Sequence, residues 1–226
     1  MTMKPITDVT MRMIRSLTMT SWQRLLIGFI LYILPIILFA KLASEVREQE
    51  TLPFDNAVLE VVHHLATPQL DSIIPLITQL GFTWAIAIML LVIMWLCVRR
   101  RRYREAVLAV ISVGGSALIN LVLKVLFQRD RPDLWQRLVT ENSHSFPSGH
   151  AMASASITIL CIVILWNTKW RNWALFGGAA YMVVIGFTRL YLGVHYPTDI
   201  LAGWLVTSAW VVIAALAIRK FPGKSS

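Results

Sequence analysis

Six long apolar segments dominate this chain of 226 residues and restrict what it can fold into. Each segment is close to the ~20 residues that an α-helix needs to cross a bilayer. None alternates in hydrophobicity, as the shorter strands of a membrane β-barrel would. The segments are Leu25–Leu42, Ile73–Val98, Ala106–Leu123, Ala151–Trp166, Trp173–Thr188 and Ile200–Ile218. The pattern predicts an all-α, polytopic membrane bundle of six transmembrane helices.

The composition agrees with a single membrane-embedded domain over residues 1–226. Hydrophobic residues make up 57% of the chain and charged residues 15%, whereas a soluble domain carries about a quarter charged residues. The first apolar segment is longer than the ~7–15 residues of a signal-peptide core. We therefore expect it to be retained as a membrane span, with residues 1–23 as a cytoplasmic N-terminal segment.

The distribution of basic residues predicts the orientation of the bundle. Fourteen of the 21 Lys and Arg residues would face one side of the membrane if all six segments cross it. These are Lys4, Arg12, Arg15, Arg24, Arg99–Arg102, Arg104, Lys169, Arg171, Arg219, Lys220 and Lys224. The positive-inside rule places that side, and both termini, in the cytoplasm. The net charge of +9 is then explained by topology and anionic lipid, and no nucleic-acid partner is expected.

Three short polar clusters fall on the opposite side, which would be the periplasmic or extracellular face of the plasma membrane. The clusters are Lys124 with Arg131-Pro132, Pro147-Ser148-Gly149-His150, and Arg189 with His195 and Asp199. Ionisable groups near membrane spans are costly and by default indicate function. Their convergence on one face predicts a single site.

The cations and the Ser-Gly pair in these clusters are suited to binding phosphate. Guanidinium groups pair bidentately with phosphate oxygens, and an ammonium group acts as a point charge, so Lys124, Arg131 and Arg189 are candidate phosphate ligands. Ser148 and Gly149 precede a predicted helix, whose free N–H groups can bind an anion. Ser148 is also compatible with a plain N-cap role.

Two histidines can divide a phosphoryl-transfer reaction between them. His195 lies four residues before Asp199, and a carboxylate on one ring nitrogen leaves the other free to attack. His150 has no carboxylate nearby in sequence, which suits a general acid. His144 is a weaker candidate because it lies in a loop rich in Asn and Ser.

Two further features are predicted to lie outside the site. The segment Phe54–Ala66 is too polar to span the membrane and is expected to form a helix along the outer interface or a packed loop helix. Arg129 and Arg137 are expected to contact lipid headgroups or to make surface ion pairs.

The three clusters resemble the signatures of the type-2 phosphatidic acid phosphatase family, which shares its site with vanadium-dependent haloperoxidases. The family signatures are Lys-x6-Arg-Pro, Pro-Ser-Gly-His and Ser-Arg-x5-His-x3-Asp. They match residues 124–199 in the same order, with Thr188 in place of the usual Ser. The hydroxyl is kept, so no loss of activity is expected from this difference.

The resemblance implies metal-independent hydrolysis of a lipid phosphomonoester or pyrophosphate, without a cofactor. It implies that His195 is the nucleophile, His150 the acid and Asp199 the orienting group. It also implies that phosphate is bound by Lys124, Arg131, Ser148, Gly149 and Arg189. Candidate substrates are undecaprenyl pyrophosphate, which is mildly favoured, phosphatidylglycerol phosphate, phosphatidic acid and diacylglycerol pyrophosphate.

Four alternatives remain open at the level of sequence, and the oligomeric state is not indicated. A phosphotransferase would pass the same phosphohistidine to a lipid acceptor. A serine hydrolase would use Ser148 with a histidine. A zinc site would use His150, His195 and Asp199. A non-catalytic relative would only bind lipid.

Overall fold

The computed structural model describes residues 21–220, and within that range the chain contains helices and no strand. The α-helices are α1 (Ser21–Gly28), α2 (Leu34–Arg47), α3 (Leu52–His63), α4 (Pro68–Ile77), α5 (Thr83–Arg99), α6 (Tyr103–Phe127), α7 (Gly149–Leu165), α8 (Gly178–Tyr191) and α9 (Pro197–Lys220). The all-α prediction is confirmed for this range. The basic residues Lys4, Arg12, Arg15 and Lys224, which the orientation prediction uses, lie outside it.

The first apolar segment contains a local change in helical winding before Pro35. A π-helical segment, Phe29–Ile33, joins α1 to α2, and Pro35 stands in the first turn of α2. Proline has no N–H to donate to the preceding turn, and a π turn is one way in which a helix accommodates a lost hydrogen bond. The helix therefore continues past Pro35 with a π-helical segment directly before it.

The second apolar segment, predicted as a membrane span over Ile73–Val98, is divided in the structure into α4 and α5. A 3-10 helix, Thr78–Gly81, follows α4, and Phe82 is extended with φ −74° and ψ 155°. The helix pair on either side of Phe82 is bent by 45°. Pro75 inside α4 removes a backbone donor, which weakens the helix just before the break.

Four continuous helical stretches of the described chain are long and apolar enough to cross a membrane. They are Leu26–Arg47, Tyr103–Phe127, Trp173–Tyr191 and Pro197–Ile218. The bent pair of α4 and α5 brings the number to five if it counts as one span. The remaining predicted span, α7, has 17 residues. At 1.5 Å per residue its length is about 26 Å, which is less than the ~30 Å thickness of a hydrocarbon core.

The short helix α7 lies at the centre of the bundle. It packs against α6, α8 and α9, and its Ala151, Ala155 and Leu160 side chains have no exposed surface. Small residues on such a helix let neighbouring backbones approach closely. A helix enclosed by others needs less length than one that faces lipid throughout.

Helix α3 covers the end of the bundle at which α6 ends and α7 begins. Leu59 is fully buried, and Val62 packs with Tyr191, Leu192 and Val194. Of the two alternatives considered for Phe54–Ala66, this packing favours the packed loop helix. At the same end of the bundle α8 ends and α9 begins, so the chain brings its three polar clusters together here, and we call this the site end.

Candidate active site

A cavity of about 390 Å³ opens at the site end between α5, α6 and α7. Its polar wall includes five of the residues predicted for the site: Lys124, Arg131, Gly149, His150 and His195. Its other walls are apolar and reach Leu90 on α5 and Val113 on α6. The cavity therefore joins a cationic, histidine-containing region to an apolar region deeper in the bundle.

His195 is held through both ring nitrogens. Its Nδ1 lies 3.2 Å from Asp199 Oδ2, and its Nε2 lies 3.2 Å from a terminal guanidinium nitrogen of Arg131. A carboxylate can only accept a hydrogen bond and a guanidinium can only donate one. We therefore assign the ring proton to Nδ1, and the Nε2 lone pair accepts the hydrogen bond from Arg131 at the wall of the cavity. The contact of Nδ1 with the carboxylate is the one that the spacing of His195 and Asp199 predicted.

The surroundings of His195 keep its ring neutral. Only 2% of its surface is exposed, and this burial holds the pKa of the imidazole well below its usual range. The positive charges that lower the pKa further are those of Arg131, Arg189 and Lys124. A neutral imidazole, with a lone pair on Nε2, is the form that can attack an electrophile once the Arg131 donor turns to the bound phosphoryl group.

His150 also lines the cavity, from the first turn of α7. Its Nε2 is buried and has no hydrogen-bond partner within the described range of the chain. Phe82 meets the ring edge-on, with the ring centroids 5.2 Å apart. A Cβ added at Gly81 would lie 2.9 Å from His150 Cδ2, so only glycine leaves room for the ring. His150 is thus clamped sterically, and one polar atom of its ring is left without a partner.

Two of the predicted cations hold the loop between α6 and α7 in place through hydrogen bonds. Arg131 donates from Nε to the Ser143 carbonyl at 2.8 Å, and Lys124 donates from Nζ to Ser143 Oγ at 3.2 Å and to the His144 carbonyl. Both cations also line the cavity. The His144 side chain is exposed, whereas His150 and His195 lie on the cavity wall.

Arg189 is the predicted cation that does not reach the cavity wall. It is buried on α8, where it donates to Thr78 Oγ1 at 3.1 Å and to a carboxylate oxygen of Glu141. The other Glu141 oxygen lies 3.8 Å from Arg131. Glu141 therefore stands between the two guanidinium groups and lines the cavity itself. Thr188 donates to the Ile185 carbonyl of its own helix at 2.7 Å.

Ser148 is the N-cap of α7 and lies behind the cavity wall. Its hydroxyl accepts a hydrogen bond from the Ala151 N–H at 3.4 Å, and its side chain is fully buried. The N-cap role considered from the sequence is confirmed. This position does not suit a serine nucleophile. At Gly149, an added Cβ would stand 3.3 Å from Asn120 Oδ1, so α7 begins close to α6.

The geometry does not fit the zinc alternative. Asp199 lies on the Nδ1 side of His195, away from the Nε2 atom, and it forms an ion pair with Arg129 at 2.6 Å. In the described part of the chain, no group of three or more His, Cys, Asp or Glu residues is arranged to hold a metal ion.

The sequence interpretation of Arg129 is wrong. It was expected to make a headgroup contact or a surface ion pair, as Arg137 does with exposed Asp133 at 3.9 Å. The Arg129 side chain is instead only 10% exposed and pairs with Asp199 and with Asp55 of α3. Asp55 and Arg129 are 74 residues apart in the sequence, so no local spacing could have indicated their contact.

Comparison with known proteins gives concordant results. A profile of the PAP2 superfamily matches residues 105–222. The chain is 29% identical to phosphatidylglycerophosphatase B of Bacillus subtilis over 74% of its own length and 84% of that protein. It is 24% identical to an undecaprenyl-diphosphatase of Sulfolobus acidocaldarius, over 76% of the chain and 82% of that protein.

A solved structure also matches the fold. The crystal structure of a transmembrane PAP2-type phosphatidylglycerolphosphate phosphatase from Bacillus subtilis aligns with a TM-score of 0.75 and 26% identity. The alignment covers 85% of this chain and 98% of that one.

Proposed function

Because the chain belongs to the PAP2 superfamily, we propose that it is an integral membrane phosphatase that hydrolyses lipid phosphates through a phosphohistidine. The observation that supports this most directly is the state of His195. Its Nδ1 is bound to Asp199, its Nε2 accepts from Arg131, and the ring lines a cavity together with Lys124, Arg131 and His150.

The proposed reaction has two steps. In the first, His195 Nε2 attacks phosphorus and the bond from phosphorus to the leaving oxygen breaks. His150, which is protonated when the negative charge of the substrate is bound beside it, gives its proton to that oxygen. In the second, neutral His150 takes a proton from water, the resulting hydroxide attacks phosphorus, and the P–N bond breaks. The enzyme returns to its starting state and inorganic phosphate is released. No metal or cofactor is required in either step.

Positive charge and backbone N–H groups would hold the phosphoryl group during both steps. Arg131 and Lys124 act from the cavity wall, Arg189 acts from behind Glu141, and Ser148 and Gly149 present the N-terminus of α7. A phosphoryl group in transfer spreads its charge over three equatorial oxygens, which this surround can stabilise.

The apolar region of the cavity supports a lipid substrate. The wall from Lys124 to Val113 follows α6 for about 16 Å at 1.5 Å per residue, long enough to receive the start of a hydrocarbon chain. Relatives carry the names of phosphatases for phosphatidylglycerophosphate and undecaprenyl diphosphate. We favour undecaprenyl pyrophosphate as the substrate, ahead of phosphatidylglycerol phosphate and phosphatidic acid.

The test is phosphate release by the purified protein in detergent, with a chelator present, from each of these three lipids. Wild-type protein is expected to release phosphate from at least one lipid, and the ranking of rates identifies the preferred one. Product analysis separates hydrolysis from transfer, because transfer would yield a newly phosphorylated lipid in place of free phosphate. Absence of release from all three by folded protein would contradict the proposal.

We further propose that the chain crosses the plasma membrane six times as a single domain, with both termini in the cytoplasm and the site at the outer face. Cysteine variants at two exposed asparagines test this, Asn142→Cys at the site end and Asn167→Cys beyond the opposite end of α7. In intact cells an impermeant thiol reagent is expected to label Asn142→Cys and not Asn167→Cys. Labelling of Asn167→Cys and not of Asn142→Cys would show that the site end faces the cytoplasm.

Replacing Gly81 with alanine is expected to lower kcat by about 10- to 100-fold, because the new Cβ would lie 2.9 Å from His150 Cδ2 and 2.8 Å from Ile185 Cγ2, which leaves the His150 ring no room in its present position. The matched control is Gly114→Ala on α6, where an added Cβ meets nothing within 4 Å. Steady-state rates and thermal unfolding of both variants are measured together. Full kcat in folded Gly81→Ala protein would show that the position of His150 is not restrictive.

Replacing Glu141 with glutamine is expected to strengthen inhibition by orthovanadate by about tenfold. The carboxylate is bound to Arg189 and lies near Arg131, so an incoming oxyanion competes with it for charge-assisted hydrogen bonds. Asp133→Asn, an exposed carboxylate in the same loop, is the control. Weaker inhibition in Glu141→Gln would mean that Glu141 serves to order Arg189.

A further inference from the structure

Arg129 links the two buried carboxylates behind His195. One terminal nitrogen of its guanidinium donates to Asp199 Oδ1 at 2.6 Å, and the other donates to Asp55 Oδ2 at 2.7 Å. The planar fork of a guanidinium can bridge two acceptors in this way, whereas an ammonium group cannot do so with fixed geometry. His195, Asp199, Arg129 and Asp55 thus form one continuous chain of contacts.

The bridge is fixed on every side. The face of the Arg129 guanidinium lies 4.0 Å from the centre of the Tyr196 ring, and its nitrogens also donate to Thr198 Oγ1 and Thr51 Oγ1. The Arg129 side chain is 10% exposed, and neither carboxylate has any exposed surface. Such a site leaves Asp199 little freedom to move away from His195.

Asp55 also holds the start of the helix that carries Asp199. Its Oδ1 accepts a hydrogen bond from the Thr198 N–H at 3.1 Å, and its Oδ2 accepts one from Thr198 Oγ1 at 2.7 Å. The first N–H groups of a helix have no partner within the helix, so Asp55 on α3 acts as a cap for α9. The carboxylate therefore sets the position of the first turn of α9 relative to His195.

We propose that Arg129 and Asp55 are positioning residues for the phosphatase reaction: they hold the Asp199 carboxylate against His195 Nδ1 and set how strongly that carboxylate favours a proton on the imidazole. The inference rests on the proposed function. It assigns a role to α3, which the sequence motifs leave out.

The two residues act on the charge of Asp199 in opposite directions. Without Arg129, the Asp199 carboxylate is no longer neutralised and favours the imidazolium form of His195. Without the Asp55 charge, Arg129 neutralises Asp199 more completely and favours the neutral form. The other charged or titratable groups around the ring are unchanged in both cases: Arg131 and Glu141 of the loop, Lys124 of α6, His150 of α7 and Arg189 of α8.

The experiment compares Arg129→Met, Arg129→Lys and Asp55→Asn in the full chain, with Asp133→Asn as the exposed matched control for Asp55→Asn. The first measurement is the pH dependence of kcat/KM. The substrate is the lipid, of the three in the phosphate-release test, that wild-type protein hydrolyses fastest. The second is the titration of the His195 ring by NMR of histidine-labelled protein, with the His195→Ala variant used for assignment. The NMR titration needs no turnover, so it tests the inference even if the proposed function fails.

We expect kcat to fall by about 10- to 100-fold in Arg129→Met and Asp55→Asn, with little change in KM, because a displaced carboxylate misorients the nucleophile. The apparent pKa of His195 should rise in Arg129→Met and should not rise in Asp55→Asn. Arg129→Lys keeps the charge without the fork, so it should restore the pKa but not the full kcat. Asp133→Asn should behave as wild type.

Two results would overturn the inference. One is a His195 titration in Arg129→Met that is the same as in wild-type protein. The other is a shift of the same sign and size in Arg129→Met and Asp55→Asn, which would indicate a loss of packing and no effect of charge. Thermal unfolding of each variant is recorded in parallel. If Arg129→Met does not fold, the kcat of Arg129→Lys and of Asp55→Asn carries the test, and wild-type kcat in both folded variants overturns the inference.

Discussion

Phosphate release is expected to fall by about three to six orders of magnitude when His195 is replaced with alanine, the range set by removal of a catalytic nucleophile. Alanine also removes the acceptor for phosphorus, so no phosphoenzyme can form. The measurement is a rapid alkaline quench of enzyme mixed with labelled lipid phosphate, followed by a search for alkali-stable, acid-labile label on the protein. Wild-type protein should carry such label and His195→Ala should not.

The control for this prediction is His144→Ala. His144 was the alternative histidine in the sequence, and its side chain is exposed in the loop. The variant keeps the backbone carbonyl that accepts from Lys124, so it should retain near wild-type turnover. If His195→Ala kept its activity while His144→Ala lost it, the nucleophile would have been wrongly assigned.

Replacing His150 with alanine is expected to slow hydrolysis of a lipid phosphomonoester by about 10²- to 10⁴-fold, the usual contribution of a general acid. The leaving lipid alkoxide needs a proton, and the unpartnered Nε2 of His150 is the atom placed to give it. A substrate whose leaving group needs no proton should escape this first effect. With 4-nitrophenyl phosphate, His150→Ala should therefore still form the phosphohistidine at close to the wild-type rate.

The second step then separates the roles of the two histidines. Without His150, no base activates the water that hydrolyses the phosphohistidine, so the variant should give a burst of one nitrophenolate per enzyme and then stall. His195→Ala should give no burst with the same substrate. Equal loss of the burst in both variants would show that His150 is needed to bind phosphate and does not act as an acid.

Much of the site could be predicted from the sequence because its residues lie within short, fixed spacings. The spacing from His195 to Asp199 places both at one helix start, where the 3.2 Å contact is found. The position of Ser148 and His150 before an apolar run placed them at the N-terminus of α7. The ends of successive apolar segments placed all three clusters at one end of the bundle.

Other features could not be predicted because they depend on contacts between distant segments. Nothing in the neighbouring sequence marks Gly81 or Glu141 as part of the site. Gly81 leaves the space that the His150 ring needs, and Glu141 forms ion pairs with Arg131 and Arg189. The break at Phe82 was missed because the mean hydropathy of Ile73–Val98 stays high in spite of Thr78, Gln79 and Thr83, and hydropathy does not reveal a 45° bend.

The sequence by itself determined that this chain is helical, suited to a membrane and equipped with a phosphate-directed set of histidines and cations. These properties follow from composition and from spacings of a few residues, which the helix geometry converts directly into proximity. The tertiary structure alone decided that Arg129 faces inward and Arg137 outward. These two arginines are eight residues apart in the same loop, and what separates them is a carboxylate on α3. Burial of a charge requires a partner, and only the folded chain brings Asp55 to Arg129.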